Sequence, residues 1–395
     1  MCRTILLLGE SSLAPYAIRS SKRLGCSLKA LTRSGAFEFP IDGVYAGPIN
    51  EADHIVEVAR KAHAQAVFPL VPEALPAALV VAEEQGIDLT ALSLLAQICD
   101  KGNLRNTLDT AGVATPPSQM ASTMEEAEHA VHLLGVPLFL WPGLCSLASS
   151  PRLLEYREDL PLVFGQVQRQ AANGVVLIEP APQGTEFGVD LILREGTPVV
   201  ASVSGIVRDR NAPQVPVAVY LPIEPEGSMQ LVDTAVRALH ALGCPNGIAH
   251  VDILEKGDGK PLVTDVGPPW GNSPVLLDVI HAALGVDMLA DIFRLLLGDD
   301  MKESANQSLG AAAVWLESRS GVVESIDGEA EVRAMPGVKE VVVNVQQGDV
   351  LGHVVDTWSR DRLGYVLASG STAQSALDTA YSAQSRIMIH TRPTR

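Results

Sequence analysis

Over its first hundred residues the chain alternates short apolar runs with amphipathic stretches, and few folds accommodate that order. TILLLG is followed by PYAIRSSKRLG, SLKAL leads to ADHIVEVARKAHA, and AVFPL leads to LPAALVVAEEQG. A strand buried on both faces reads as an unbroken apolar run, and the amphipathic partner covers it, so this rhythm predicts a parallel sheet flanked by helices. Gly9 closes the first strand, but the following GESSLAP lacks the G-x-G-x-x-G spacing, so a dinucleotide loop is not indicated there.

The next segments predict a mixed α/β chain. Asp100 stands as an N-cap before KGNLRNTLDTAG, predicting a helix over about 102–111 that Gly112 terminates, with Pro116 and Pro117 in a linker beyond. Further on come a helix (TMEEAEHAVHLLG), a strand (VPLFLW), a helix (REDLPLVFGQVQRQAANG), and the strand runs VVLIEPA and EFGVDLILREGTPVV, expected as a hairpin-linked pair. A helix in SMQLVDTAVRALHALG precedes two strand runs, and one long apolar helix is expected around VLLDVIHAALGVDMLADIFRLLLG. From about residue 308 the pattern gives strands AAAVWLES, VKEVVVNV and LGYVLASG, then a helix in TAQSALDTAYSAQSRI. No internal repeat is visible.

The two runs after the SMQLVDTAVRALHALG helix carry the most chemistry. In IAHVDIL, side chains two apart share a face, so His250 and Asp252 point the same way, and KPLVTDV brings Asp265 onto the neighbouring strand through the turn KGDGK. Hard cations such as Mg²⁺ take one or two carboxylates plus phosphate oxygens, which such a hairpin supplies. The residues alone equally allow Asp265 to start the turn VGPPWG and Asp252 to cap a strand end.

Composition bounds the partners. A chain of 395 residues with 47% hydrophobic content holds two or three packed domains, and its net charge of −17 argues against a nucleic-acid backbone as partner. The five cysteines are scattered with no C-x-x-C spacing, which suggests neither a disulfide framework nor a zinc site and fits a reducing cytoplasm. The apolar run after Arg3 ends at Gly9 and Glu10, too short for the core of a signal peptide. No membrane span is expected, since the longest apolar stretch, VPLFLWPGL, contains two prolines.

In order, ICDKGNLRNTLDTAGVATPP, VVLIEPAPQGTEFGVDLILREGTPV and GIAHVDILEKGDGKPLVTDVGPPWG resemble the central segments of the ATP-grasp superfamily, in the branch of biotin-carboxylase-like enzymes and L-amino-acid ligases. The resemblance spans nearly the whole chain. It implies an α/β ATP-grasp fold with a Rossmann-like N-terminal domain at 1–95, a first ATP-grasp subdomain at 96–180 with a lid lobe from about 115, a second at 181–307 carrying the metal hairpin, and a C-terminal domain at 308–395. The implied activity is an ATP-dependent carboxylate-amine ligation through an acyl phosphate on small amino-acid-like substrates, with ATP and Mg²⁺ as cofactors. A homodimer is also implied.

The resemblance places Lys101 at the nucleotide phosphates, Glu179 at the hinge beside adenine and ribose, Glu186 at the acid of the Gly-x-Glu-Phe stretch, and Asp252 and Asp265 at the metal. The departures are as informative. Trp141 stands where the family has a phosphate-binding lysine, and the loop after it keeps Gly143 but is bracketed by Pro142 and Pro151, with Ser146, Ser149 and Ser150 as hydroxyl donors. Gly267 and Pro269 replace the expected metal-ligating Asn and the Arg that steadies charged intermediates, with Asn272 as a substitute ligand. Trp141 and Trp270 both fall in the site, either stacking a planar ligand or filling space. Replacement cations are Arg152 and, as catalytic candidates in SGIVRDRNAPQ, Arg208 and Arg210. A member that binds a ligand or supports a partner subunit without phosphoryl transfer is the second reading of these losses.

Overall fold

A computed structural model describes the chain apart from residues 1–2, 85–93, 95–96, 145–150, 211, 223–224, 258, 268–272, 301–308, 356 and 394–395. The N-terminal block follows the expected alternation: β1 (Thr4–Leu8), α1 (Ala14–Leu24), β2 (Ser27–Thr32), β3 (Gly43–Ala46), α2 (Ala52–Ala62), β4 (Ala66–Pro69) and α3 (Leu75–Glu84). The strands form a parallel sheet in the order β3-β2-β1-β4. Every residue of β1 is buried, and alternate side chains serve opposite faces: Ile5 and Leu7 join one core, Leu6 and Leu8 the other. That is why the run from Ile5 to Leu8 carries no polar position.

Helix α4 (Lys101–Thr110) begins where Asp100 accepts from the Asn103 amide. It ends in a paired cap: Val113 N–H reaches Leu108 O and Gly112 N–H reaches Asp109 O, with Gly112 at φ 71°. The lid lobe follows: β5 (Gln119–Ala121), α5 (Met124–Leu134), β6 (Leu138–Pro142), β7 (Arg152–Leu154), α6 (Leu160–Gln170) and β8 (Val176–Pro180). Its sheet runs β5-β8-β6-β7, and Leu138, Leu140, Phe164 and Ile178 form a core of its own. A reciprocal cap between Thr123 and Glu126 starts α5.

The second subdomain contains β9 (Thr185–Arg194), β10 (Thr197–Arg208), β11 (Pro216–Leu221), α7 (Pro225–Ala241), β12 (Gly247–Glu255) and β13 (Pro261–Gly267). Here the strand expectation is corrected. VVLIEPA is β8 and pairs with β5 and β6, whereas EFGVDLILREGTPVV is itself a hairpin, β9 to β10. Glu195 and Gly196, at φ 51° and 76°, make the two-residue turn with left-handed backbone at both positions that matches strand twist. The long apolar helix is likewise two, α8 (Val275–Leu284) and α9 (Met288–Leu296). Gly285, left-handed at φ 71°, stops the first, and Asp287 caps the second by accepting from the Ala290 amide.

The C-terminal block comprises β14 (Gly310–Trp315), β15 (Gly321–Asp327), α10 (Glu329–Arg333), β16 (Val338–Val343), β17 (Val350–Leu351), α11 (Thr357–Asp361), β18 (Gly364–Gly370), α12 (Ala373–Gln384) and β19 (Met388–Arg392). Across the 308 boundary β14 pairs with β11, so one antiparallel sheet runs β13-β12-β9-β10-β11-β14-β18-β16 through both regions. A small sheet, β17-β15-β19, caps the far side. Among the described residues no helix is long and apolar enough to cross a membrane.

Candidate active site

Between the lid lobe and the second subdomain lies a cleft of about 470 Å³, within the size range of small-molecule sites. Its lining mixes apolar side chains, Val136, Pro137, Phe139, Leu254 and Leu262, with Trp141, Glu179, Glu186, Arg208, Asp252 and Asp265. Six residues singled out in the sequence thus converge on one opening. The hairpin register explains the acids: Asp252 and Asp265 are direct cross-strand partners on β12 and β13.

The charges at Glu179, Glu186, Arg208, Asp252 and Asp265 are all partnered. Lys101, buried at the first turn of α4, donates from Nζ to both oxygens of Asp265 at 2.6 and 2.8 Å, and its ammonium lies 5.4 Å from the centre of the Trp141 ring. Arg208 meets Glu186 at 2.6–2.8 Å. Glu179 is buried and accepts from Trp141 Nε1 at 2.8 Å and from Arg105 Nε and Nη2 at 3.0 and 3.2 Å. Arg105 also donates to the Thr264 carbonyl at 2.5 Å, so it ties α4 to both β8 and β13.

Beneath the cleft three ionisable groups form a chain. His250 Nδ1 sits 2.9 Å from Asp190 Oδ1, and Nε2 sits 3.0 Å from Asp252 Oδ1. Burial by itself would lower the imidazole's pKa, but the two carboxylates outweigh it and raise the pKa well above the usual value. Burial pushes the Asp190 carboxyl up, with His250 opposing. Asp252 is also pushed up by burial, yet His250, then Arg208 and Lys101, bring it below the usual carboxylate range.

The sequence candidates divide accordingly. Arg210 is exposed and is not among the residues lining the cleft; β10 ends two residues before it, at Arg208. Arg152 is half-buried on β7 and does not line the opening either. Ser146, Ser149, Ser150, Pro269, Trp270 and Asn272 lie outside the described residues. Two residues escaped the sequence reading. Arg105 stands four residues after Lys101 and so shares its helix face. Asp190 alternates with Glu186 and Gly188 along β9, and that period-two spacing was the available signal.

Mg²⁺, which the resemblance implies, fits this donor set. The Asp252 carboxylate spends Oδ1 on His250 and makes no other side-chain hydrogen bond among the described residues, and the facing Asp265 is balanced by a lysine, Lys101. Among the described residues no group of three or more His, Cys, Asp or Glu is arranged around a metal. A divalent ion here would therefore rely on Asp252, Asp265 and the ligand's own oxygens, as Mg²⁺ commonly does.

Layered sheets, a separate lid lobe and an acid-bearing hairpin under a cleft define the ATP-grasp fold, and comparison with known proteins agrees along the whole length. Residues 314–392 match the family model of the L-amino acid ligase C-terminal domain 2. The crystal structure of an L-amino acid ligase from Bacillus licheniformis superposes with a TM-score of 0.81 at 18% identity, covering 99% of both chains. The biotin carboxylase domain dimer of 2-oxoglutarate carboxylase from Hydrogenobacter thermophilus, in complex with MgADP, ADP and bicarbonate, gives 0.72 at 16%, covering 99% of this chain and 91% of that one. By sequence, the chain is 22% identical over 401 residues to a formate-dependent phosphoribosylglycinamide formyltransferase of Mannheimia haemolytica, covering 98% and 96% of the two. It is 27% identical over 292 residues to protein y4rH of Sinorhizobium fredii, 71% of this chain but only 59% of that protein, so it covers less than two thirds of that relative's length.

Proposed function

We propose that the protein is an ATP-dependent carboxylate-amine ligase acting on small amino-acid-like substrates through an acyl phosphate. One observation carries this reading: Arg208, Asp252 and Asp265 line one cleft together with apolar side chains, and Lys101 reaches it through its ion pair with Asp265. The family match at 314–392 supports the amino-acid substrate class.

In this scheme the apolar side chains take the adenine and Glu179, fixed by Arg105 and Trp141, faces its polar edge. Lys101 and Arg208 turn from their acids to the phosphates, and Asp252 and Asp265 would hold Mg²⁺, which would neutralise phosphate charge. A substrate carboxylate oxygen attacks the γ-phosphorus as its bond to the bridging oxygen breaks and ADP departs. An amine nitrogen then attacks the acyl carbon, the carbon-oxygen bond to phosphate breaks, and the nitrogen loses a proton to give the amide, phosphate and ADP. Phosphoryl transfer of this kind depends on placement and charge, so cations tied into ion pairs must be released by the ligand.

The test is phosphate release with Mg·ATP over a panel of amino-acid pairs, alongside a thermal shift with Mg·ATP alone. Release that depends on both an acid and an amine supports the ligase. Nucleotide binding with no turnover across the panel favours a ligand-binding relative without phosphoryl transfer, a reading that Trp141 in place of the phosphate lysine supports. A homodimer belongs to the same proposal and is tested by sedimentation.

A further inference from the structure

The Asp190-His250-Asp252 chain lies beneath the cleft, and only its last member lines the opening. Neither Asp190 nor His250 has a task in the ligation scheme, yet their construction is demanding. Asp190 is fully buried, His250 is 3% exposed, and both imidazole nitrogens face carboxylate oxygens at 2.9 and 3.0 Å. In sheet register Asp190 pairs with His250 across β9 and β12, and Gly188 pairs with Asp252. Gly188 is what admits the ring: a Cβ there would stand 2.5 Å from His250 Cε1 and 2.7 Å from Ser204 Oγ. A buried polar chain tolerates little rearrangement, because any broken link leaves a charge unpaired in a dry environment.

Resting on the nucleotide reading above, we infer that His250 is a positioning residue for the cation seat. Asp190 orients the imidazole through Nδ1, and the imidazole pins Asp252 through Oδ1, which leaves the other Asp252 oxygen set toward the cleft for a divalent ion. The Asp190-His250 pair thus does for a metal-binding carboxylate what outer hydrogen-bond partners do for metal ligands generally: it removes the freedom of the ligand to rotate away. Loss of such a partner commonly weakens metal affinity by about 10–100-fold.

The test measures Mn²⁺ binding by electron paramagnetic resonance in the presence of ADP, with thermal melting to verify that each variant is folded. Three variants are compared with the wild type: His250→Gln, Asp190→Asn, and Gly188→Ala, which keeps every hydrogen-bonding group but displaces the ring. Weaker Mn²⁺ binding by about 10-fold or more in all three, with ADP binding in EDTA unchanged, is the expected result. Tighter or unchanged Mn²⁺ binding in folded variants overturns the inference while leaving the nucleotide reading intact. A wild type that binds ADP but no Mn²⁺ overturns the cation seat and this inference together.

Discussion

At the scale of single residues the cleft is a set of acid-base pairs, and its behaviour follows from which of them open. Lys101 is the clearest case, since its ammonium holds both oxygens of Asp265 in the absence of ligand. A single cation aimed at developing phosphoryl charge is commonly worth about 2–4 kcal/mol at the transition state. Lys101→Met is therefore expected to slow steady-state phosphate release by roughly 30- to 10³-fold, and a variant with near-normal turnover would remove Lys101 from the mechanism. A second expectation concerns pH. His250 has its folded pKa raised well above its unfolded 6.5, so its contribution to stability is complete below that value and fades as pH climbs through the folded one. Asp252 is shifted the other way, below 3.8, and its contribution holds above that value and is lost in acid. Urea denaturation at neutral and alkaline pH should show the wild type losing more stability on alkalinisation than His250→Gln; parallel curves would mean the imidazole is not held as a cation.

At the scale of elements, much of the molecule was legible because the decisive signals are local. Period-two alternation placed His250 and Asp252 together, an N-cap and a C-terminal glycine bounded α4, and the apolar runs of the N-terminal sheet needed no partner to be recognised. What escaped depends on long-range pairing. Nothing inside VVLIEPA says that it joins β5 and β6 rather than β9, because strand partners are chosen by tertiary packing. The helix break at Gly285 was written in the sequence as a glycine followed by an Asp cap, but an apolar pattern continuing through both helices masked it. In the site, Arg105 and Asp190 were missed because each acts through another side chain. The junction of β14 with α12 offers a test of packing: a Cβ on Gly310 would fall 1.9 Å from the backbone oxygen of Thr372. Gly310→Ala should cost about 1–3 kcal/mol in chemical denaturation, and a neutral effect would mean that this junction yields more readily than the sheet register suggests.

At the scale of the whole molecule, one core and one sheet are shared among the blocks, while the lid lobe keeps its own. One hydrophobic core includes Ile5 from the N-terminal sheet, Leu104 from α4, Val189 and Phe293 from the second subdomain, and Tyr365 from the C-terminal block. The lid lobe instead closes its own core around Phe164 and Ile178. A lobe with its own core is the kind of element that can close over a cleft while disturbing few shared contacts. Hydrogen exchange should show Mg·ATP slowing amides of β6 and β8 while leaving β1 unchanged; uniform protection would point to global stabilisation instead. A ligase of the proposed kind needs the cleft to seat a metal-nucleotide. Calorimetric titration of Mg·ATP into the wild type and into a doubly substituted Asp252→Ala, Asp265→Ala protein tests it most directly. Saturable one-site binding in the first and its loss in the folded second is the predicted result, and an absence of heat with the wild type at millimolar nucleotide would contradict it.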